Sequence, residues 1–111
     1  MVSEPDTPEE AVHCPADQIL RMLWGQWKTH VIHALGTNGP CRFGALQRYV
    51  VGISPKVLTE RLRELERDGL AWREVRPTIP PEVTYGLTAL GEDVHGVIAR
   101  FDPLAERLRD R

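Results

Sequence analysis

Apolar residues recur at steps of three and four along most of the chain, a spacing that predicts amphipathic helices. A first helix begins near Pro15, whose missing N–H costs nothing in a first helical turn, and it ends at Gly25. The pattern then predicts a second helix from about 27 to 35 that stops at the turn 36–40, a short strand at 42–43 and a third helix over about 44–50.

The clearest helix start in the sequence is at Ser54 and Pro55, because serine is a good N-cap and proline is favoured at the first helical position. The segment that follows, PKVLTERLRELERDG, is rich in strong helix formers and ends at Gly69, a residue that suits a left-handed C-terminal position. Two strand-like runs, LAWREVR and EVTYGLT, come next and are separated by the proline-rich segment 77–81. They predict a β-hairpin with an extended tip.

The last predicted helix carries one apolar face. It begins after Thr88, a good N-cap, and we expect Pro103 to kink or break it before a final turn. Its apolar residues recur at helical steps: Leu90, Val94, Val97, Ile98 and Phe101. This stripe is longer than a small monomeric core readily covers, so we expect a partner to bury it.

Two short helices joined by a tight glycine turn and followed by a hairpin predict a winged helix-turn-helix, mainly α with a small β-hairpin. The helix after Ser54 has two faces. Its leucines, Leu58, Leu62 and Leu65, lie within about 60° of arc, whereas the opposite side carries Lys56, Thr59, Glu60, Arg63 and Arg67. Lysine, threonine and arginine reach base edges and phosphates in a major groove. The alternative is an amphipathic helix with a solvated charged face, and the hairpin directly downstream favours DNA binding.

Composition places the chain among ordinary globular proteins. Its 111 residues are 41% hydrophobic and 27% charged, and no apolar run approaches the length of a membrane helix. Residues 1–20 hold five of the 16 acids and none of the 14 bases, so the rest of the chain carries a formal charge of +3 despite the overall −2. We interpret residues 1–13 as a flexible acidic leader and expect a cytoplasmic protein that binds no membrane.

Three segments together resemble one known family. They are CPADQILRMLWGQWK (14–28), GPCRFGALQRYVVGISPKVLTERLRELERDGLAWR (39–73) and PTIPPEVTYGLTALG (77–91). The order of Cys-Pro, Gly-x-Trp, Arg-Phe-Gly-x-Leu, Gly-Ile-Ser and the wing Pro-Pro-x-Val-x-Tyr-x-Leu-Thr is similar to that of the HxlR-type winged helix-turn-helix regulators of bacterial transcription. The chain departs from the pattern at Trp24, where a small residue is more frequent, and at Glu82, where a basic wing residue is common, although Arg76 could compensate.

The resemblance implies a homodimeric regulator, more often a repressor, on a pseudo-palindromic duplex DNA operator, with residues 14–111 as the DNA-binding domain and its C-terminal dimerisation helix. The residues that we expect at the DNA are Arg42, Ser54, Pro55, Lys56, Thr59, Arg63, Arg67, Arg73 and Arg76. Those that we expect at the dimer interface, on the N- and C-terminal helices, are Ile19, Leu23, Val94, Val97, Ile98 and Phe101. The alternative function is a winged-helix module that binds protein without sequence-specific DNA binding.

Cys14 is the candidate sensor of an oxidant or a small-molecule effector. It precedes a predicted helix, whose dipole favours thiolate, and members of the resembled family carry a cysteine here. The alternative is an inert, partly buried thiol. We expect Cys41 to behave as a small apolar residue, and two cysteines make no disulfide framework in a cytoplasmic chain.

The sequence does not indicate an enzyme, a cofactor or a metal site. His30 and His33 lie three residues apart on a helix and could share a metal, but no third ligand has a suitable spacing, so surface histidines are the simpler interpretation. No glycine-rich phosphate loop, nucleophile elbow or metal-hydrolase motif is present.

Overall fold

The computed structural model describes residues 14–110, and the predicted leader 1–13 lies outside the described residues. The elements in chain order are α1 (Asp17–Leu23), α2 (Lys28–Asn38), β1 (Cys41–Arg42), α3 (Phe43–Tyr49), α4 (Pro55–Arg67), β2 (Ala71–Arg76), β3 (Glu82–Leu87), α5 (Ala89–Ala99) and α6 (Asp102–Arg109). The strands form one antiparallel sheet in the order β1-β3-β2, in which β2 and β3 are the predicted hairpin. This architecture confirms the winged helix-turn-helix, with α3 and α4 as its two helices and β2–β3 as its wing.

The core lies between α2, α3, α4 and the base of the sheet. Its largest fully buried side chains come from all three helices and from the turn after α4: Val31, Ile32, Leu35, Leu46, Leu58, Leu62, Leu65 and Leu70. Burial of each such leucine or isoleucine stabilises the fold by about 1.5–3 kcal/mol relative to exposure, so this cluster dominates the packing energy.

The local signals around α4 are confirmed. The Ser54 Oγ accepts a hydrogen bond from the Val57 N–H at 3.1 Å, and Pro55 is the first helical residue. Gly69, directly after the C-terminal end of α4, has a φ of +76°, a left-handed conformation that favours glycine. Capping at both ends thus defines the length of this helix independently of its tertiary contacts.

Three predicted element boundaries are wrong by one to three residues. Helix α2 continues through Gly36 to Asn38, because Gly36 allows a close approach of the His95 ring and is not the helix end. Helix α1 begins at Asp17 rather than near Pro15. The short strand is Cys41–Arg42, and Phe43 already belongs to α3.

The C-terminal part is divided as predicted near Pro103, with α5 ending at Ala99 and α6 starting at Asp102. All residues of α6 are exposed. None of the helices within 14–110 has the length and apolarity that a membrane crossing requires.

Thr88 joins the ends of α4 and α5. Its hydroxyl donates to the Gly69 carbonyl at 2.6 Å and accepts from the Gly91 N–H at 3.0 Å, and its own N–H donates to the Leu70 carbonyl at 3.1 Å. The backbones approach so closely here that a Cβ on Gly91 would overlap the carbonyl oxygen of Leu70. The start of α5 is therefore held directly against the turn that follows α4.

This contact predicts opposite effects for two glycines of α5. Gly91→Ala should lower the free energy of unfolding by about 1–3 kcal/mol, because the backbone must move to admit the methyl group. Gly96→Ala meets no atom within 4 Å and should raise that free energy by about 0.5–1 kcal/mol, since alanine favours the helix. Urea unfolding followed by circular dichroism at one fixed protein concentration measures both, and equal effects would contradict the assigned contact.

Candidate nucleic-acid interface

Helix α4 presents one face to the core and another to solvent. Leu58, Leu62 and Leu65 are buried, whereas Lys56, Arg63 and Arg67 are exposed on the other side. The leucine face predicted from the sequence is thus confirmed, and three of the five residues predicted on the opposite side are exposed, whereas Thr59 and Glu60 are half-buried. The Thr59 hydroxyl donates to the Pro55 carbonyl at 2.8 Å. That hydroxyl proton is already used, so Thr59 offers a ligand its oxygen lone pair and its methyl group.

The N-terminus of α4 offers fewer free amides than a typical helix start. Pro55 has no N–H, the Val57 N–H donates to the Ser54 Oγ, and the Leu58 N–H donates to the Ser54 carbonyl at 2.9 Å. Within the described part of the chain, the Lys56 N–H is the first-turn amide left without a hydrogen-bond partner. A phosphate at this helix end would therefore meet the Lys56 amide and the Ser54 hydroxyl.

Two of the arginines expected at the DNA contact carboxylates of their own sheet. Arg42 is 2.9 Å from Glu82, the acid that replaces a basic wing residue, and Arg76 is 3.9 Å from Glu74. Both pairs are largely exposed, and such pairs contribute about 0–1 kcal/mol, so either arginine can exchange its carboxylate for a phosphate.

A polar cleft of about 360 Å³ separates α4 from the wing. From α4 it is lined by Thr59, Leu62, Arg63 and Glu66, and from the sheet by Arg73 and Tyr85. Arg73 and Tyr85 are direct cross-strand partners and so lie on the same face of the hairpin. Tyr85 and Glu66 were not among the residues predicted at the DNA. The hairpin register, which pairs Tyr85 with Arg73, was the signal that could have found Tyr85.

Arg61 connects α4 to the linker between α1 and α2. Its Nε donates to the Gln26 carbonyl at 2.9 Å, and its guanidinium lies 2.7 Å from Glu64. In the same linker Trp27 has a φ of +79°, which is unusual for a bulky residue. Lys28 is only 8% exposed and donates to the Met22 carbonyl at 3.1 Å. Arg61 was not predicted as a contact residue, although on the helical wheel it lies next to the buried leucines of α4.

The residues expected at the dimer interface come together along a groove between α1 and α5. An apolar cavity of about 260 Å³ lies there and includes all six of them: Ile19, Leu23, Val94, Val97, Ile98 and Phe101. Val97 and Phe101 are more than half exposed, whereas Val94 is 6% exposed and belongs to the core of its own chain. Leu20, which the prediction omitted, adds to the same exposed apolar surface.

The two cysteines differ in surroundings. Cys14 is exposed and lies three residues before α1, so it is not directly at the helix start as predicted. Cys41 packs against the core as a small apolar residue, as expected, and burial raises the pKa of its thiol. At neutral pH this partly buried thiol is therefore less ionised than an ordinary cysteine.

The histidines do not assemble a metal site within residues 14–110. No three His, Cys, Asp or Glu side chains come together there. The His30 ring packs edge-on to Trp27 at 5.5 Å between centroids, and the His33 and His95 rings lie 6.0 Å apart.

Comparison with known proteins agrees with this geometry. The HxlR-like helix-turn-helix family matches residues 22–111. The uncharacterised HTH-type transcriptional regulator YdeP of Bacillus subtilis is 37% identical over 98 residues, covering 88% of this chain and 76% of YdeP. The uncharacterised HTH-type transcriptional regulator YtfH of Escherichia coli is 38% identical over 89 residues, covering 80% and 70%.

Solved structures show the same likeness. The reduced form of the transcriptional regulator YodB from Bacillus subtilis superposes with a TM-score of 0.74 and 33% identity, covering 86% of this chain and 94% of that one. The redox regulator HypR in its reduced form gives a TM-score of 0.79 and 33% identity, covering 87% and 95%. The chain belongs to the HxlR-like helix-turn-helix family.

Proposed function

We propose that the protein is a homodimeric regulator of transcription that binds duplex DNA with α4 in the major groove. The observation that carries the proposal is the outward face of α4, on which Lys56, Arg63 and Arg67 are exposed while the buried leucines hold the helix rigidly. Positive side chains on the exposed face of a helix that is held by a packed core suit phosphate and base recognition. The relatives are named as HTH-type transcriptional regulators, which supports the same function.

The proposed regulator acts as a repressor in the cytoplasm, where it covers promoter DNA. Its DNA surface consists of the residues predicted from the sequence, which lie on β1, α4 with its N-cap, and the wing: Arg42, Ser54, Pro55, Lys56, Thr59, Arg63, Arg67, Arg73 and Arg76. The function needs no catalytic step, cofactor or metal, so its activity is a binding equilibrium that an effector shifts. Protein binding without sequence-specific DNA binding is the competing outcome of the tests below.

Substitution on α4 tests DNA binding. Lys56→Ala should weaken operator binding by about 1–3 kcal/mol, because it removes a positive side chain at the helix end that enters the groove. Arg107→Ala, on the exposed helix α6, should leave the affinity unchanged. Gel-shift titrations at several salt concentrations measure both, and binding should weaken linearly in log salt. Equal losses from both variants would place the DNA surface elsewhere.

The groove between α1 and α5 supports a two-fold dimer, since exposed Val97 and Phe101 continue the apolar surface of α1. Two copies joined here would place two α4 helices about 34 Å apart, or a multiple of that distance, to match the half-sites of a pseudo-palindrome. A two-fold dimer formed through this groove is therefore the reason to expect a pseudo-palindromic operator.

Light scattering at micromolar concentration should give twice the mass of one chain. Val97→Asp should shift the protein to a monomer, because it buries a charge in the apolar contact. Val75→Asp is the matched control, since Val75 is an exposed valine of the wing outside the groove. A monomeric wild type, or equal dissociation in both variants, would contradict the dimer surface.

The exposed Cys14 supports a response to oxidants, and the similar structures include the redox regulator HypR. Cys14 should react with a mild thiol oxidant faster than Cys41, because burial raises the pKa of Cys41 and lowers its thiolate fraction. Oxidation of the wild type should weaken operator binding reversibly, whereas Cys14→Ser should bind normally and ignore the oxidant. A response of equal size in Cys14→Ser would assign the signal to another residue.

A further inference from the structure

We propose that the cleft between α4 and the wing holds one phosphate of the DNA backbone, clamped by Arg63 and Arg73, so that Arg63 contacts the backbone rather than a base edge. This inference rests on the proposed function, because it assigns a ligand within the DNA surface. It also adds Tyr85 as a donor and Glu66 as an opposing charge, two residues that the sequence did not indicate.

The cleft follows from two simple periodicities. Thr59, Arg63 and Glu66 are separated by four and three residues, so they form one stripe along α4. Arg73 and Tyr85 are paired across β2 and β3, so their side chains leave the same face of the wing. The stripe and the strand pair face each other across the cleft, which has a volume of about 360 Å³ and is also lined by Leu62.

The electrostatics of the cleft favour an anion. Within residues 14–110 neither Arg63 nor Arg73 makes an ion pair or a side-chain hydrogen bond, whereas Arg42, Arg61 and Arg76 each have a carboxylate partner. Glu66 is the acid among the residues that line the cleft, so the two guanidinium groups leave it with a net positive charge. A phosphate suits the planar fork of arginine, and the Tyr85 hydroxyl can donate a further hydrogen bond.

The position of the cleft indicates which part of the DNA enters it. A winged helix-turn-helix places its recognition helix in the major groove and its wing beside it. Major and minor grooves are separated by a single sugar–phosphate backbone. A strand that passes between α4 and the wing must therefore cross the space between Arg63 and Arg73. Contacts at that place fix the register of the protein on DNA and carry no base information.

Neutral phosphates provide the decisive experiment. A series of operator duplexes, each with one methylphosphonate at a successive backbone position, is titrated against the wild-type protein. One position in each half-site should weaken binding by about tenfold or more, as expected for a lost charge-assisted contact. At that position Arg63→Gln and Arg73→Gln should add little further loss, because their partner is already neutral. The Arg107→Gln variant, altered outside the cleft, should lose as much affinity as the wild type does when the methylphosphonate is at that position.

Sequence preference and salt dependence separate a phosphate contact from a base contact. Arg63→Gln and Arg73→Gln should each weaken binding by the same factor on operator and mutated duplexes, and neither should reduce the slope of log affinity against log salt by more than about 0.9, the value for one phosphate. Relaxed preference at one base pair in Arg63→Gln, with an unchanged response to every methylphosphonate, would overturn the proposal and assign Arg63 to a base edge.

The lining residues give two finer comparisons. Tyr85→Phe should weaken DNA binding less than Arg63→Gln or Arg73→Gln does. Its effect should also vanish on the duplex with a methylphosphonate at the same position. Glu66→Gln should strengthen binding, because it removes the acid that opposes the anion, whereas Glu92→Gln on α5 should not; equal gains would indicate a general charge effect and contradict the cleft. Circular dichroism of each variant checks its fold.

If the wild type binds no duplex, the proposed function fails as well; if it binds but no single phosphate matters, only the cleft assignment fails.

Discussion

The packing of three leucines of α4 into the core against α2 and β2 is the interaction on which the rest of the structure depends. Leu58, Leu62 and Leu65 are almost completely buried, and burial at this density permits one rotation of the helix about its axis. The rotation decides which residues face outward. The polar stripe that meets the wing and the basic face that meets solvent are both consequences of where the leucines lie.

Much of the fold could be predicted because its signals are local. The Ser54 cap, the glycine after α4, the strand β3 and the Thr88 cap each depend on residues close in sequence, and the structure contains all of them, although burial along β3 does not alternate. Gly36 was misinterpreted as a helix end for the opposite reason. Its role is to admit His95, a residue about sixty positions away, and no local pattern records such a contact.

The candidate site also has features that the local sequence predicts and features that depend on distant residues. The two faces of α4 follow from helical periodicity alone, so Lys56, Arg63 and Arg67 could be placed on its surface from the sequence. The partners of Arg42 and Arg61 could not, because Glu82 and the Gln26 carbonyl are 40 and 35 residues away from them. Composition gives the number of arginines, but only tertiary contacts decide which of them are neutralised within the protein.

The hydrogen bonds of Thr88 have a mechanical consequence. They tie the start of α5 to the turn at the C-terminal end of α4, so the two helices share a joint. The 13 residues of α4 extend about 20 Å from that joint, at 1.5 Å per residue. A tilt of about 10° there moves the far end of the helix by about 3.5 Å, more than a hydrogen bond tolerates. Because Ser54 lies a full helix length from Thr88, the buried leucines must hold the direction of α4 to within a few degrees for the outward residues to keep their places.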